Sequence, residues 1–412
     1  MLLPVYIVIF VGFVGYSMMV TAFTPMLMYA HNGMLAADSS MAERTIVLGV
    51  LLSAYPLGQF IGSPILGALS DRFGRKPTLL VSLSTTTACY ALMGAALTSQ
   101  SLALLLGASV LAGLAEANVV IAQSAIADVS TAENRNRLFG YVYLSASLAY
   151  VVGPLAGGKL ADASLGPWFG YATPFWCTFG LLVVTLVWTA AAFRETRGAV
   201  PSEKVSYSAA FANLLGVFTD RRLRLLYGVN FLIYLAVFGF FRCYPMYLVD
   251  EFHLNVSQLS EFVAWVAVPI VLANLWLTGF LAARVATRRI VVASAALAGV
   301  LMVVVILPAQ ASALWVTLFL AALAVAVCLP ASAAMISVSV GADEQGRAMG
   351  NNQSLQVGAE ALSGLLGGVL AAVLVKLPLV VLALVAVSAA AVLAAFGPRT
   401  SGGAAPPAAG RS

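Results

Sequence analysis

Charged side chains are scarce in this chain. Only 9% of its 412 residues are Asp, Glu, Lys or Arg, whereas 61% are hydrophobic. Water-soluble domains carry roughly 25% charged residues, so this composition excludes a soluble domain of this size. Apolar runs recur along the whole length, and we infer that lipid, rather than a buried core, surrounds most side chains.

Residues that ligate metals or act as nucleophiles are also few. His31 and His253 are isolated in or beside predicted loops, and the four cysteines lie in apolar segments on different predicted helices: Cys89, Cys177, Cys243 and Cys328. This placement favours small buried side chains over disulfides or metal ligands. The spans contain no metal-ligand spacing, no phosphate-binding glycine loop and no nucleophile–base pair. We therefore expect no metal, no cofactor and no enzymatic activity.

Twelve apolar segments are long enough to cross ~30 Å of hydrocarbon as helices. We predict them near residues 4–30, 45–69, 78–98, 102–127, 138–161, 168–193, 224–249, 258–282, 289–309, 312–337, 350–374 and 377–396. The first is too long for a secretory signal and has no basic residues before it, so we expect it to be a membrane helix.

Lysine and arginine are distributed unevenly over the predicted loops. If both termini are cytoplasmic, 17 of the 21 Lys and Arg residues lie on the inner side, and only Arg44, Lys159 and Lys376 lie on the outer side. This bias predicts a multi-pass protein of the bacterial cytoplasmic (inner) membrane with both termini in the cytoplasm. The net charge of +5 then reflects topology and anionic lipid, and no nucleic-acid partner is expected.

The loop after the second predicted helix carries a fixed pattern of small and charged residues. It reads Gly67-Ala68-Leu69-Ser70-Asp71-Arg72-Phe73-Gly74-Arg75-Lys76. Gly67 permits close helix approach, Asp71 can face a helix N-terminus and Gly74 frees the turn. Between two membrane helices, this segment resembles the loop motif of the major facilitator superfamily.

The resemblance implies an all-α fold of 12 transmembrane helices in two pseudo-symmetric six-helix bundles. A hydrophilic linker at 194–223 separates the predicted bundles, 1–193 and 224–396, and a tail at 397–412, predicted to be disordered, follows. The halves repeat: Arg137, Gly140 and 153–158 align with Arg347, Gly350 and 363–368 at a constant offset of 210. Such parallel repeats place the substrate site near mid-membrane, between the halves.

The end of the fourth predicted helix, with Asp128 before Glu133-Asn134-Arg135-Asn136-Arg137, is similar to tetracycline exporters and related drug:proton antiporters. That resemblance implies a conformational latch formed by Gly67, Asp71, Arg72, Gly74, Arg75, Lys76 and Asp128. The other interpretation is a surface ion pair contributing ~0–1 kcal/mol. The pattern departs from the family at Ser109, where an arginine is usual, and in the first helix, which has no carboxylate.

The fifth predicted helix has small residues along one face: Gly140, Gly153, Pro154, Gly157 and Gly158. It resembles the helix-5 motif associated with antiporters, which favours export. We expect this face to pack closely on the eleventh helix, its repeat mate, with a bend at Pro154.

Three ionisable residues lie well inside predicted spans, namely Glu116, Arg242 and Glu360. An unpaired charge there costs ~2.5–3.5 kcal/mol, so they should face a cavity or one another. Glu116 is the predicted proton carrier, because desolvation disfavours a charged carboxyl. The alternative is a permanently ionised partner for Arg242 or for a cationic substrate. Glu360 is predicted to be a second proton site or a structural bond to a neighbouring helix.

Arg242 is always charged and needs an anion. We expect it to pair with Glu116 in the empty protein and with a substrate carboxylate or phosphate in the loaded one. Alternatively, it extends to the outer interface. The predicted substrate-binding residues are Arg242, Glu116, Tyr234, Phe238, Tyr244, Gln123, Ser109, Thr21 and Tyr16.

These features predict a monomeric secondary transporter that works by alternating access, with a small molecule, protons and the lipid bilayer as partners. The predicted activity is proton-coupled export of a small anionic, zwitterionic or amphipathic organic compound, such as a drug, metabolite or siderophore. The alternative is a proton-coupled importer of an organic anion or metal chelate. A non-transporting sensor of the same fold and a membrane enzyme are further alternatives from other classes.

Overall fold

The computed structural model describes residues 2–29, 34–116, 118–131, 134–196, 223–341 and 344–397. Within these ranges, 12 helices are long and apolar enough to cross a membrane and no strand occurs, so the predicted all-α membrane fold is confirmed. Most of the predicted linker and tail lies outside the described residues. The exact bounds of the two predicted bundles stay a prediction.

The helices of the first half are α1 Leu3–Met28, α2 Met41–Phe73, α3 Arg75–Thr98, α4a Leu102–Ala115 with α4b Asn118–Val129, α5 Arg135–Ala161 and α6 Thr173–Ala192. Those of the second half are α7 Arg224–Phe252, α8 Val256–Ala282, α9 Thr287–Val304, α10 Ala311–Ser337, α11 Gln345–Val373 and α12 Leu377–Phe396. Helix α8 contains a π-helical turn at Ala273–Leu277, four residues after Pro269, whose ring cannot donate a backbone hydrogen bond.

The fourth span is interrupted at Glu116, whereas the sequence predicted one continuous helix. The Glu116 N–H still donates to the Ala112 carbonyl at 2.9 Å, but a φ of −83° and a ψ of 46° leave the helical region. The Ser82 hydroxyl of α3 contacts the Ala115 carbonyl and lies 2.6 Å from the side-chain amide oxygen of Asn118. Helix α3 therefore supplies a hydrogen-bond donor at the break between α4a and α4b.

Small residues bring the two halves into close contact. A Cβ atom on Gly49 of α2 would lie 2.6 Å from the Gly364 carbonyl oxygen and 2.7 Å from Gly368 Cα, so α2 and α11 touch backbone to backbone. A Cβ on Gly158 of α5 would overlap Ser260 of α8. Both contacts lie away from the loop at Gly74. We call the side of the Gly74 loop the basic-loop end and the opposite side the far end.

Polar contacts close the far end as well. Lys159 Nζ of α5 lies 2.6 Å from Glu261 Oε1 and donates to Ser257 Oγ at 2.6 Å, both on α8. The Tyr29 hydroxyl donates to the Leu254 carbonyl at 2.9 Å, and burial raises the pKa of this phenol, which keeps it a donor. Hydrogen bonds and ion pairs between the halves are found at the far end and mid-membrane. The halves are therefore closed at the far end, whereas Phe73 and Val338 at the basic-loop end are exposed.

Candidate functional site

A buried ion pair of the second half contacts the first half near the middle of the membrane. Arg242 of α7 is 3% exposed and Glu360 of α11 is 8% exposed. Arg242 Nη2 lies 3.3 Å from Glu360 Oε1 and donates to the Tyr16 hydroxyl of α1 at 2.6 Å. Tyr16 in turn donates to the same carboxylate oxygen. Because α1 belongs to the first half, this Arg242–Glu360–Tyr16 bridge crosses the boundary between the halves.

Both terminal nitrogens of the Arg242 guanidinium are hydrogen-bonded. Its Nη1 donates to the Glu360 carbonyl at 2.7 Å and to Ser363 Oγ at 3.2 Å, and Nε alone has no partner. A buried charge is tolerated when it is both paired and hydrogen-bonded, which the bridge achieves. A substrate anion can bind this guanidinium only if the Glu360 carboxylate moves away from it.

The structure pairs Arg242 with Glu360, whereas the sequence suggested a pair with Glu116 in the empty protein. Glu116 is 3% exposed and lies at the break in the fourth span, where its Oε1 fills the space beside Gly12 of α1. Its Oε2 is buried without a hydrogen-bond partner. The interior of the first half therefore holds a second buried acid, separate from the bridge.

Other predicted binding residues are enclosed by their own bundles. The Tyr234 hydroxyl accepts from Asn352 Nδ2 at 2.7 Å, and Asn230 Nδ2 donates to the Asn352 side-chain oxygen at 3.0 Å, which ties α7 to α11. Tyr244 is buried with its hydroxyl unpaired, and its ring stacks on Phe240 at 5.4 Å between centroids. These tyrosines lie inside the second half rather than on an open surface.

Thr21 and Ser109 are fully buried, and the hydroxyl of each donates to a carbonyl of its own helix. Thr21 donates to the Met18 carbonyl and Ser109 donates to the Leu105 carbonyl, both at 2.8 Å. Phe238 and Gln123 are half-buried, with the Phe238 ring 6.2 Å from that of Tyr234. The break at Glu116 interrupts the helix that was expected to align Ser109, Glu116 and Gln123. Of the predicted binding set, the structure brings Tyr16 directly to Arg242.

The basic-loop motif forms a charge cluster around one arginine. Arg75 is 4% exposed; its Nη1 lies 2.8 Å from Asp71 Oδ1, and its Nε lies 2.9 Å from Asp128 Oδ2 on α4b. Ser70 Oγ accepts from Arg75 Nη1 at 2.6 Å. A Cβ on Gly67 would make only ordinary van der Waals contact with Val120. Among the described residues these partners all belong to the first half, and the latch between halves stays a prediction.

The remaining basic residues of the motif lie at the surface of the loop. The Arg72 guanidinium lies 5.0 Å from the centroid of the adjacent Phe73 ring, and Lys76 Nζ donates to the Ala190 carbonyl of α6 at 2.8 Å. Lys76 therefore links the loop to the end of α6.

Glu195 completes this cluster, although the sequence analysis did not single it out. Its two carboxylate oxygens accept the backbone N–H groups of Arg75 and Lys76, each at 2.9 Å. An anion is favourable at the N-terminus of α3 because the first N–H groups of a helix have no internal partner. A single acid at the end of a span, beside a basic loop, is the signal that could have indicated it.

Gly74 is expected to tolerate no side chain. Its φ of +99° is unfavourable for other residues, and a Cβ atom would lie 2.6 Å from Glu195 Oε2. Gly74→Ala should lower the free energy of unfolding by about 1–3 kcal/mol, measured by chemical denaturation in detergent. Gly341→Ala is the matched control, because a Cβ there meets none of the described residues within 4 Å. Equal stability of the two variants would contradict the prediction.

The small residues of α5 pack on α1 and α8, so the prediction that they pack on α11 is wrong. A Cβ on Gly153 would overlap Ser17, and one on Gly157 would lie 2.5 Å from Met18 Cβ, both on α1. Gly158 faces α8, while a Cβ on Gly140 meets nothing within 4 Å in the part of the chain that the structure describes. Repeat mates related by a central axis lie on opposite sides of it, so α5 meets α8 while α11 meets α2.

The Major Facilitator Superfamily profile matches residues 5–242 and 226–412. The chain belongs to this superfamily. The class G tetracycline resistance protein of Vibrio anguillarum is 30% identical over 308 residues, which cover 74% of this chain and 76% of that protein. The class C protein of Escherichia coli is 44% identical over 117 residues, 28% of this chain and 29% of that protein.

This superfamily member also shares its fold with solved transporters. The human organic anion transporter MFSD10 superposes with a TM-score of 0.69 at 19% identity, covering 95% of this chain and 98% of that chain. A bacterial homologue of the lysosomal transporter Spinster gives 0.74 at 14% identity, with 95% of each chain covered. At these identities the likeness establishes the fold alone, and the chain is similar in sequence to the tetracycline resistance proteins.

Proposed function

We propose that this protein is a proton-coupled secondary transporter that exports a small anionic, zwitterionic or amphipathic organic compound by alternating access. The Arg242–Glu360–Tyr16 bridge carries the proton-coupled part of the proposal. It places an acid and a fixed cation together at the boundary between halves that must move against each other. The small-residue pattern of α5 and the similarity to tetracycline resistance proteins support export.

In this proposal, protonation of Glu360 is coupled to substrate binding through Arg242. When Glu360 takes a proton, Arg242 loses its anion and attracts another, such as a substrate carboxylate or phosphate. By linkage, an anion that binds Arg242 favours protonation of Glu360 to the same extent. Opening of the bridge also removes the contact with Tyr16, which frees the two halves at mid-membrane.

The same linkage supports a second candidate, a proton-coupled importer of an organic anion or metal chelate. At Glu360 the anion and the proton bind together, which is the condition for cotransport rather than exchange. An exporter needs a further acid that gives up its proton when substrate loads. Glu116, buried at the helix break, is our candidate for that acid.

We assign the basic-loop end to the cytoplasm and the far end to the outside of a bacterial inner membrane, with both termini in the cytoplasm and the protein monomeric. The excess of Lys and Arg at this end supports the assignment. The exposed basic-loop end then corresponds to the mouth of a cavity open to the cytoplasm, from which an exporter loads its substrate.

The test is flux in proteoliposomes with an imposed proton gradient, using a substrate found in a growth-resistance screen. We expect Glu116→Gln to lower gradient-driven export to the rate seen without a gradient, because glutamine cannot release a proton, while exchange of labelled for unlabelled substrate continues. Glu43→Gln, an exposed acid on α2, is the control. Unchanged pH dependence in Glu116→Gln would reject Glu116 as the coupling acid. Proton entry together with substrate would favour the importer.

A further inference from the structure

Helix α5 presents a row of polar and aromatic side chains to open space. Tyr143 is 68% exposed, Tyr150 is 39% exposed and Ser147 lies between them on the same side of the helix, a group that we call the tyrosine face. A different side of α5 carries exposed aliphatic residues, Leu144 at 53% and Leu148 at 50%. The two exposed sides therefore differ in chemistry, as expected if one faces water and the other faces lipid.

The packing of α5 shows where the tyrosine face points. At 3.6 residues per turn, Tyr143, Ser147 and Tyr150 lie within a narrow arc. Viewed down the helix axis, that arc lies between the position of Gly157, which contacts α1, and the position of Gly158, which contacts α8. The tyrosine face therefore points into the space between the two halves. The side with Leu144 and Leu148 lies beyond the α8 direction and faces the lipid.

Tyr150 connects this face to the bridge. Its ring lies 5.5 Å from that of Phe13 on α1, and it is close enough to Arg242 and Glu360 to interact electrostatically with both. It also occupies the repeat position of Glu360, at the offset of 210 residues. Among the described residues no hydrogen bond of the Tyr150 hydroxyl is found, so this phenol is available to a ligand.

We propose that the tyrosine face holds a planar aromatic part of the transported compound, with Tyr143 and Tyr150 as specificity-determining residues. This inference rests on the proposed transport function. Exposed aromatic rings in a cavity favour contact with another flat ring, by offset stacking or by edge-to-face packing. Seven residues along a helix separate the two tyrosines by ~10 Å, so the two rings offer successive contacts along the helix.

Equilibrium binding to the full chain in lipid nanodiscs tests the proposal. The probes are naphthalene compounds with a carboxylate, an ammonium or a hydroxyl group, each paired with its saturated decalin counterpart. We expect Tyr150→Ala to raise the Kd of the naphthalene probes about fivefold to tenfold and that of the decalin probes less than about twofold. Tyr150→Phe should bind nearly as the wild type, and Leu148→Ala should change nothing.

Three results would overturn the proposal: equal weakening of both probe series, no weakening of either, or no binding of any naphthalene probe. Because binding is measured without a gradient, it is independent of coupling. Lost ring selectivity with intact export would reject the tyrosine face alone, whereas intact selectivity without transport would reject the proposed function alone.

Labelling of single cysteines gives a second measurement that does not depend on affinity. In a background without the four native cysteines, Tyr143→Cys should react with a water-soluble maleimide and be protected by a naphthalene probe. Leu148→Cys, on the lipid side, should react much more slowly. Similar reaction rates at the two positions would show that the tyrosine face does not line an aqueous cavity.

Discussion

Replacing Glu360 with leucine should lower the free energy of unfolding by about 3–5 kcal/mol and abolish transport. The reason is that Arg242 would keep its charge in a buried position without an anion. The measurement is chemical denaturation in detergent, together with flux in proteoliposomes. Glu261→Leu is the control: it breaks an ion pair whose side chains are both 44% exposed, which should cost only ~0–1 kcal/mol.

The double variant Arg242→Met with Glu360→Leu separates stability from function. Because both charges are then gone, we expect most of the lost stability to return, whereas transport should stay absent. Recovery of transport in the double variant would contradict the role given to the bridge. Wild-type stability of Glu360→Leu alone would mean that Arg242 reaches water or another anion.

Gly49→Leu should hold the protein with its far end open and reduce transport at least about tenfold. A leucine there would meet the backbone of Gly364 and Gly368, so α2 and α11 could not approach closely. Overpacking of this kind costs about 1–3 kcal/mol, and a cost above ~1.4 kcal/mol shifts a two-state equilibrium tenfold or more. The overpacking would destabilise only the state in which the far end is closed.

Spin labels on Phe73 and Val338, both exposed at the basic-loop end of different halves, would report the shift. We expect a shorter distance between them in Gly49→Leu than in the wild type, because opening one end closes the other. Gly107→Leu is the control, since a Cβ at this exposed position meets nothing within 4 Å. An unchanged label distance with reduced transport would point to misfolding rather than to a trapped state.

Residue patterns predicted the parts of the site that depend on local spacing. The motif at Gly67–Lys76 and the acid at Asp128 indicated a cluster around the basic loop, and Arg75 does join Asp71 to Asp128. The role of Glu195 was not predicted, because its contact with the start of α3 joins residues about 120 positions apart in the sequence. No helical periodicity relates two residues that far apart.

The intramembrane charges illustrate the same limit. The rarity of charge inside the spans singled out Arg242, Glu116 and Glu360, because each is too costly to leave unpaired in lipid. It did not say which acid meets the arginine. Arg242 and Glu360 are 118 residues apart, and their pairing depends on the rotation and depth of α7 and α11. The break at Glu116 likewise lies beside a hydrogen-bond donor of α3, Ser82, that is distant in sequence.

By itself the sequence determined that this chain crosses a membrane 12 times as two related halves of a superfamily transporter. Hydrophobic length, the placement of basic residues and the repeat are properties of the chain that need no partner. Only the tertiary structure decided that Arg242, Glu360 and Tyr16 form one bridge and that the far end is closed. It also decided that α5 meets α8 rather than α11. Contacts between helices are set by packing geometry, which a single helix does not contain.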